Sequence, residues 1–221
     1  MARSTTLTLL RHAQSSANLK GVLAGRIEGI SLSPAGLEQA QQLANSLSTT
    51  NFSSIYVSPL QRCQETVAPL LKAKKQRAIK SREIIEMDYG MWSGKKLSLL
   101  AKKKEWASIQ SAPSHFRFPQ GESFEEMRSR VIAFIESKRL DGGEILVVTH
   151  GDVIKVVLAH YLGTPLDLFQ RITIDPSSLS TLNFNGDSVR VNRINDTSYL
   201  TGHSRSQKRG PHDLGGGAGP R

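Results

Sequence analysis

The chain has 221 residues, 38% of them hydrophobic, and a formal net charge of +10 at pH 7. That length supports one substantial core, and no apolar stretch approaches the roughly 20 residues of a membrane span. Cys63 is the single cysteine, so an intrachain disulfide is excluded, and Met1 to Thr5 run into a strand pattern without a signal-peptide apolar region; both lead to the expectation of a cytoplasmic protein.

Thr6 to Leu10 reads as a buried strand, followed by a glycine-punctuated loop from Gly21 to Ile30. Ser33 and Pro34 form a cap-then-proline helix start, and Leu37, Ala40, Leu43, Ala44 and Leu47 recur at helical spacing. Ile55 to Val57 predicts a second short strand. Ser58-Pro59 repeats the helix start, for a helix carrying Leu60, Val67, Leu70 and Leu71. A third strand is expected over Ala78 to Ile85, a loop over Tyr89 to Gly94, and one weakly amphipathic helix over Lys95 to Gln110. Pro113 to Gly121 is irregular. Ser123-Phe124-Glu125-Glu126 is a capping-box pattern that opens a helix with Met127, Val131, Phe134 and Ile135 inward. Glu144 to Thr149 is the clearest strand, and a helix over Val153 to Leu162 follows, closed by Gly163 and Pro165. Phe169 to Ile174, Ser178 to Phe184 and Ser188 to Ile194 read as late strands, the last two a hairpin across Asn185-Gly186-Asp187. Strands alternating with helices imply a three-layer α/β/α sandwich around a mostly parallel sheet, with the final hairpin adding antiparallel character at one edge. Such an edge offers a surface for a possible homodimer.

The charge is unevenly spread. The segment from Ser204 onward contributes +3 through Arg205, Lys208, Arg209 and Arg221 against Asp213. Its glycine, proline and polar content marks residues 201–221 as a disordered basic tail appended to a domain over residues 1–200. The rest lies largely in Lys72, Lys74, Lys75, Arg77, Lys80 and Arg82 and in the lysines between Lys95 and Lys104. A basic field favours anionic partners. Without the interleaved aromatics that stack on bases, nucleic acid is not an expected partner.

Two of these strands end in the same way. Leu9-Leu10 leads into Arg11-His12, and Val147-Val148-Thr149 leads into His150-Gly151-Asp152. A third, Ile55 to Ser58, leads within one helical turn to Arg62. Ligands of open α/β sheets bind outside the carboxyl ends of the strands. Two imidazoles and two guanidinium groups there suit a phosphoryl group, which needs a nucleophile and cations on its oxygens.

Arg11-His12-Ala13-Gln14-Ser15 with Asn18 resembles the Arg-His-Gly-x-Ser/Thr signature of the histidine phosphatase superfamily, which includes the cofactor-dependent phosphoglycerate mutases. Ser58-Pro59-Leu60-Gln61-Arg62 resembles the family's second arginine motif, and Glu86 to Gly94 its acidic motif. Pro119-Gln120-Gly121-Glu122-Ser123 resembles the start of a family helix, and Val148-Thr149-His150-Gly151 its second histidine motif. Order and spacing match from about Thr6 to Phe184.

The resemblance implies a phosphoglycerate mutase-like fold, with His12 as the nucleophile that becomes phosphorylated and Arg11 and Arg62 as the phosphate clamp. A neutral imidazole with its second nitrogen held by a carbonyl suits that task. His150 is the expected donor to the phosphoryl oxygens, Asn18 a further phosphate ligand, and Ser15 either a ligand or a turn cap. Glu86 is the expected proton donor to the leaving oxygen, with Glu83 and Asp88 as nearby alternatives. Cys63 reads as a small buried hydrophobe. His115, His160, His203 and His212 lack partners at ligand-like spacing, so no metal is expected, and no cofactor.

The chain departs from the family pattern at Ala13, where glycine is usual, and at Gln14, where many members have glutamate. The segment between Gly94 and Ser123 is also short. In the mutases a longer insertion there carries arginines for the substrate's second anionic group. Here Arg117, with Arg26, Lys95 and Lys96, is what remains. These features predict a metal-independent phosphomonoesterase acting through a phosphohistidine on a small phosphorylated metabolite. The alternatives are a phosphomutase and a non-catalytic phosphate-recognising regulatory protein.

Overall fold

The structure is a computed structural model that describes residues 4–201. The expected tail over 201–221 therefore lies, but for its first residue, outside the described residues. The elements are β1 (Thr5–Arg11), α1 (Ser16–Leu19), α2 (Pro34–Ser46), β2 (Phe52–Val57), α3 (Gln61–Lys74), β3 (Ile79–Lys80), α4 (Leu97–Leu100), α5 (Lys104–Ser111), α6 (Phe124–Lys138), β4 (Gly143–Thr149), α7 (Gly151–Tyr161), β5 (Leu179–Asn185) and β6 (Ser188–Asp196).

Among the described residues the strands form one six-stranded sheet in the order β3-β2-β4-β1-β5-β6. The first four run parallel, and β5 and β6 are antiparallel, closing the edge as a hairpin. Alternate residues of a strand face opposite sides of a sheet. Leu7, Leu9, Ile145 and Val147 accordingly pack in one core with Met127, Val131, Ile135 and Val157 of α6 and α7. Leu10, Leu146 and Val148 pack in the other with Leu43, Ala44, Val67 and Leu70 of α2 and α3. The result is helix, sheet and helix in three layers. Among the described residues no helix is long and apolar enough to cross a membrane.

Two helix starts follow the sequence closely. Ser33 caps α2 by accepting from the Gly36 N–H, with Pro34 at the first position. Ser123 and Glu126 form the reciprocal capping box of α6.

Four expectations are corrected. The third strand is only Ile79–Lys80, because an exposed edge pairs solely with Tyr56 and Val57; the chain then turns and buries Ile84 and Ile85 together instead of alternating them. The single helix over Lys95 to Gln110 is broken into α4 and α5, with Lys103 at the new cap. At about 100° per residue, one straight helix would set Leu100 and Ile109 on opposite faces. The break lets both be buried. Phe169 to Ile174 is no strand; Leu166–Arg171 is a 3-10 helix that follows Pro165 and buries Phe169. Ser58 does not cap α3, which starts after Leu60 and has no side-chain cap.

Candidate active site

The parallel register of β1 and β4 sets Arg11 opposite Thr149, so His12 and His150 leave the sheet side by side. The His12 N–H donates to the Thr149 carbonyl at 2.9 Å, and the two rings meet edge-on with centroids 5.3 Å apart. His12 Nδ1 lies 2.7 Å from the Ala13 carbonyl oxygen. A carbonyl only accepts, so Nδ1 carries the proton and Nε2 keeps its lone pair. Burial, then Arg62 and Arg11, hold the His12 pKa well below the usual histidine range. The ring is neutral near pH 7, as a nucleophile must be.

Arg62, the second residue of α3, is 1% exposed. Its Nε donates to His12 Nε2 at 3.2 Å, and its Nη2 donates to the Gly25 carbonyl at 2.8 Å. Its Nη1 is buried and has no hydrogen-bond partner among the described residues. Gly25 brings the loop before α2 down onto this guanidinium. Its φ is +51°, and an added Cβ would come 2.8 Å from Ser93 Oγ; any other residue would lift the carbonyl away. Arg11 is fully buried, and its Nη1 donates to the Ile174 carbonyl at 2.6 Å.

His150 Nδ1 lies 3.2 Å from Arg62 Nη2, and Nε2 lies 2.7 Å from Ser58 Oγ. With Arg62 donating to Nδ1, the neutral ring carries its hydrogen on Nε2 and Ser58 accepts it. Burial, then Arg62 and His12, push the His150 pKa well down. Glu86 closes the cluster. It is 3% exposed, with Oε2 3.8 Å from His150 Nδ1 and Oε1 accepting from the Met87 N–H. Burial first and the Asp152 charge second push its carboxyl up to about 7, against the opposing pull of Arg62. The competing acids are placed elsewhere. Glu83 is exposed and bound by Ser81, while Asp88 accepts from the Gly90 N–H and pairs with Arg26.

The other sequence candidates are arranged around this cluster. Ser15 caps α1, and Asn18 Oδ1 accepts from both the Ser15 N–H and its hydroxyl. Arg26 donates to the Glu86 carbonyl and pairs with Glu122 and Asp88. Its guanidinium is thus tied to the backbone and the carboxylates next to Glu86. Arg117 is likewise paired with Glu126 on the surface. Ala13 has no positive φ, so it fits where glycine is usual, and its N–H donates to Thr66 Oγ1. Cys63 is fully buried, and burial pushes its thiol up to about 12.

Three residues to which the sequence assigned no role at the site lie in this network. Ser58 orients His150, and Thr66 ties the loop after β1 to α3 through Ala13 and Arg62. Asp152, fully buried in the first turn of α7, accepts from the Tyr89 hydroxyl at 2.7 Å and lies 3.5 Å from Lys155 Nζ. An Asp two residues past a strand-end histidine, with a Lys one turn on, was the available signal. Among the described residues no group of three or more His, Cys, Asp or Glu is placed to hold a metal ion.

Known proteins share both the sequence pattern and the fold. Phosphoserine phosphatase 1 of Hydrogenobacter thermophilus is 32% identical over 198 residues, covering 88% of this chain and 93% of that protein. The solved structure of Bacillus stearothermophilus YhfR superposes with a TM-score of 0.82 at 26% identity, covering 88% of this chain and 98% of that one. A putative alpha-ribazole-5'-P phosphatase from Escherichia coli K-12 gives 0.79 at 26% identity, covering 87% and 96%. The family model of the histidine phosphatase superfamily, branch 1, matches residues 7–197. With its motifs in family order on the family's fold, this chain belongs to the histidine phosphatase superfamily.

Proposed function

We propose that the protein is a metal-independent phosphomonoesterase that hydrolyses a small organic phosphate through a phosphohistidine at His12. The observation that carries this is the pairing of a neutral, Nδ1-anchored His12 with a buried Arg62 whose Nη1 has no partner among the described residues. A buried guanidinium donor without an acceptor costs stability unless a ligand supplies one, and a phosphoryl oxygen is a fitting acceptor.

In the first step His12 Nε2 attacks phosphorus, the bond to the substrate oxygen breaks, and Glu86 gives its proton to the departing alkoxide. In the second step the Glu86 carboxylate takes a proton from water, the water oxygen attacks phosphorus, and the N–P bond breaks to release phosphate and restore His12. A carboxyl at about 7 is poised to lose and regain a proton near neutrality. Arg11, Arg62 and the Asn18 amide hold the phosphoryl oxygens. His150 joins them as a donor when its hydrogen moves from Nε2 to Nδ1; the Ser58 hydroxyl then donates to Nε2, and Arg62 Nη2, released from Nδ1, keeps the Gly25 carbonyl.

Water is the acceptor we favour. Arg26 and Arg117, two cations able to hold a second anionic group and keep a phosphorylated acceptor in place, are both paired with carboxylates. The named relatives act on, or are named for, phosphoserine and alpha-ribazole phosphate, which supports a small metabolite as substrate. We place the reaction in the cytoplasm and the catalytic domain over residues 1–200.

The test is phosphate release from a panel of phosphomonoesters with EDTA present, wild type beside His12→Ala, with acid-quenched protein assayed for acid-labile phosphate. The expected result is turnover that survives EDTA and disappears in the variant. Folded wild type that releases no phosphate from any compound would overturn the proposal.

A further inference from the structure

Behind the clamp lies a short loop that no catalytic role explains. The Ile174 carbonyl accepts from Arg11 Nη1 at 2.6 Å, the Ser178 carbonyl accepts from the Arg11 N–H at 3.1 Å, and the Ser177 N–H donates to the His12 carbonyl at 3.3 Å. Burial pulls the Arg11 pKa below the usual arginine range, and the charges of Glu86 and then Asp175 oppose that pull. Residues 174–178 therefore grip both the clamp and the nucleophile, through backbone and side chain together.

The same loop is gripped from its other side by the end of the described chain. Asn195 Oδ1 accepts from the Asp175 N–H at 2.6 Å, and Asn195 Nδ2 donates to Asp175 Oδ2 at 2.9 Å. The Tyr199 hydroxyl donates to the Ser177 carbonyl. Tyr199 itself packs against the core of α2, α3 and the sheet, and Thr201 is anchored by two bonds to Gln42 on α2.

The backbone is bent to make these contacts. The register of β5 against β6 shifts between Leu179 and Thr181, which lie opposite Asp196 and Arg193. That is a bulge, a device that re-aims a side chain. Asn195 sits in it with φ +54°, and Ser177 has φ +59°. Left-handed backbone is uncommon away from glycine, least so for Asn, and a serine there is strained. Two such residues, in contact with one loop, require contacts that hold them.

We propose that Asn195 and Tyr199 form a C-terminal brace on residues 174–178 and are positioning residues for Arg11 and His12. This rests on the reading of those two as clamp and nucleophile. The brace reaches the reacting atoms only through the loop, so its loss misplaces the clamp without removing a ligand. Transfer rates fall steeply with such displacements, about a hundredfold for 1 Å.

Asn195→Gly removes the amide while suiting the positive φ, and Tyr199→Phe removes one hydroxyl. Asn192→Ala, which breaks only the exposed bond to Asn183 on the same hairpin, is the control. Phosphate release, thermal melting and the 15N resonances of the His12 ring are compared in the full chain. In folded Asn195→Gly and Tyr199→Phe the His12 resonances should shift and kcat should fall on the order of tenfold with KM little changed; the control should do neither. Wild-type kcat or unmoved His12 resonances in the folded variants, or the same change in the control, would overturn the brace. A wild type that releases no phosphate would defeat the phosphatase reading instead, and the resonances alone would then decide the brace.

Discussion

Glu86 divides two arginine clusters that are built in opposite ways. On its carboxyl side, Arg62 is held by neutral acceptors, the Gly25 carbonyl and His12 Nε2, and keeps an unpartnered buried donor. On its carbonyl side, Arg26 and Arg130 both donate to the Glu86 backbone oxygen, and both pair with Glu122. The first arrangement holds a cation while leaving its charge available. The second consumes charge to fix the segment that carries the acid. The difference separates a group prepared for an anion from one that shapes the backbone, although both are arginines a few ångströms from the same residue.

The sharpest way to break this comparison is to alter the dividing residue. Glu86→Gln keeps the shape and removes the proton donor, so phosphate release from an alkyl ester should fall on the order of a thousandfold. In wild type, kcat/KM should decline as pH rises through about 7, because the first step needs the protonated acid; the variant should lose that dependence. The same change should stabilise. A carboxyl pushed up from its usual value binds its proton more tightly when folded, so the native state loses stability as pH rises from about 4.5 towards 7. Glu86→Gln should therefore melt higher than wild type at pH 8, by a few kcal/mol at most, and gain nothing near pH 4.5. Equal melting at pH 8 would refute the buried-acid account.

Arg62→Lys comes next in size. It keeps the charge but loses the fork that reaches His12, Gly25 and a phosphoryl oxygen together, and kcat should drop about a hundredfold. The smallest effect belongs to Arg26→Ala. If its charge is committed to Glu122 and Asp88, KM should stay within about threefold of wild type, measured on the same substrate. A tenfold rise in KM would place Arg26 on the phosphate after all.

The parts of the fold that were legible were those where local and long-range preferences agree. Buried strands such as β1 and β4 read correctly because their apolar runs end abruptly at polar residues, and α2 and α6 because their caps are local hydrogen bonds. The errors came where tertiary packing overrode local pattern. Ser58-Pro59 has the form of a cap, yet the hydroxyl is taken by His150, 92 residues away. Lys95 to Gln110 contains good helix formers, yet Leu100 and Ile109 cannot share a face. In the site, Arg11, His12, Arg62 and His150 come together because each lies at a strand end or a helix start, positions a sequence marks, while Glu86 lies in an irregular segment and was legible only through its motif. The partners of Arg26, Glu122 and Asp88, are distant in sequence, so nothing local shows that its charge is matched in the fold. Asp152 was overlooked for the same reason, since its influence on Glu86 arises only in the folded core.

The strand that ends at Arg11, next to His12, is made long before either of its neighbours, β4 and β5. Thr5 pairs with Gly143 on one side and Phe184 on the other. During synthesis at about 5–20 residues per second, β1 must wait roughly 10–35 s for β5 to exist. Contacts so distant in sequence also slow folding, because large loops must close before any pairing rewards them. Until then a hydrophobic strand ending in Arg11 and His12 has no sheet to join. The cluster around His12 is thus assembled only after the chain has been made as far as β5.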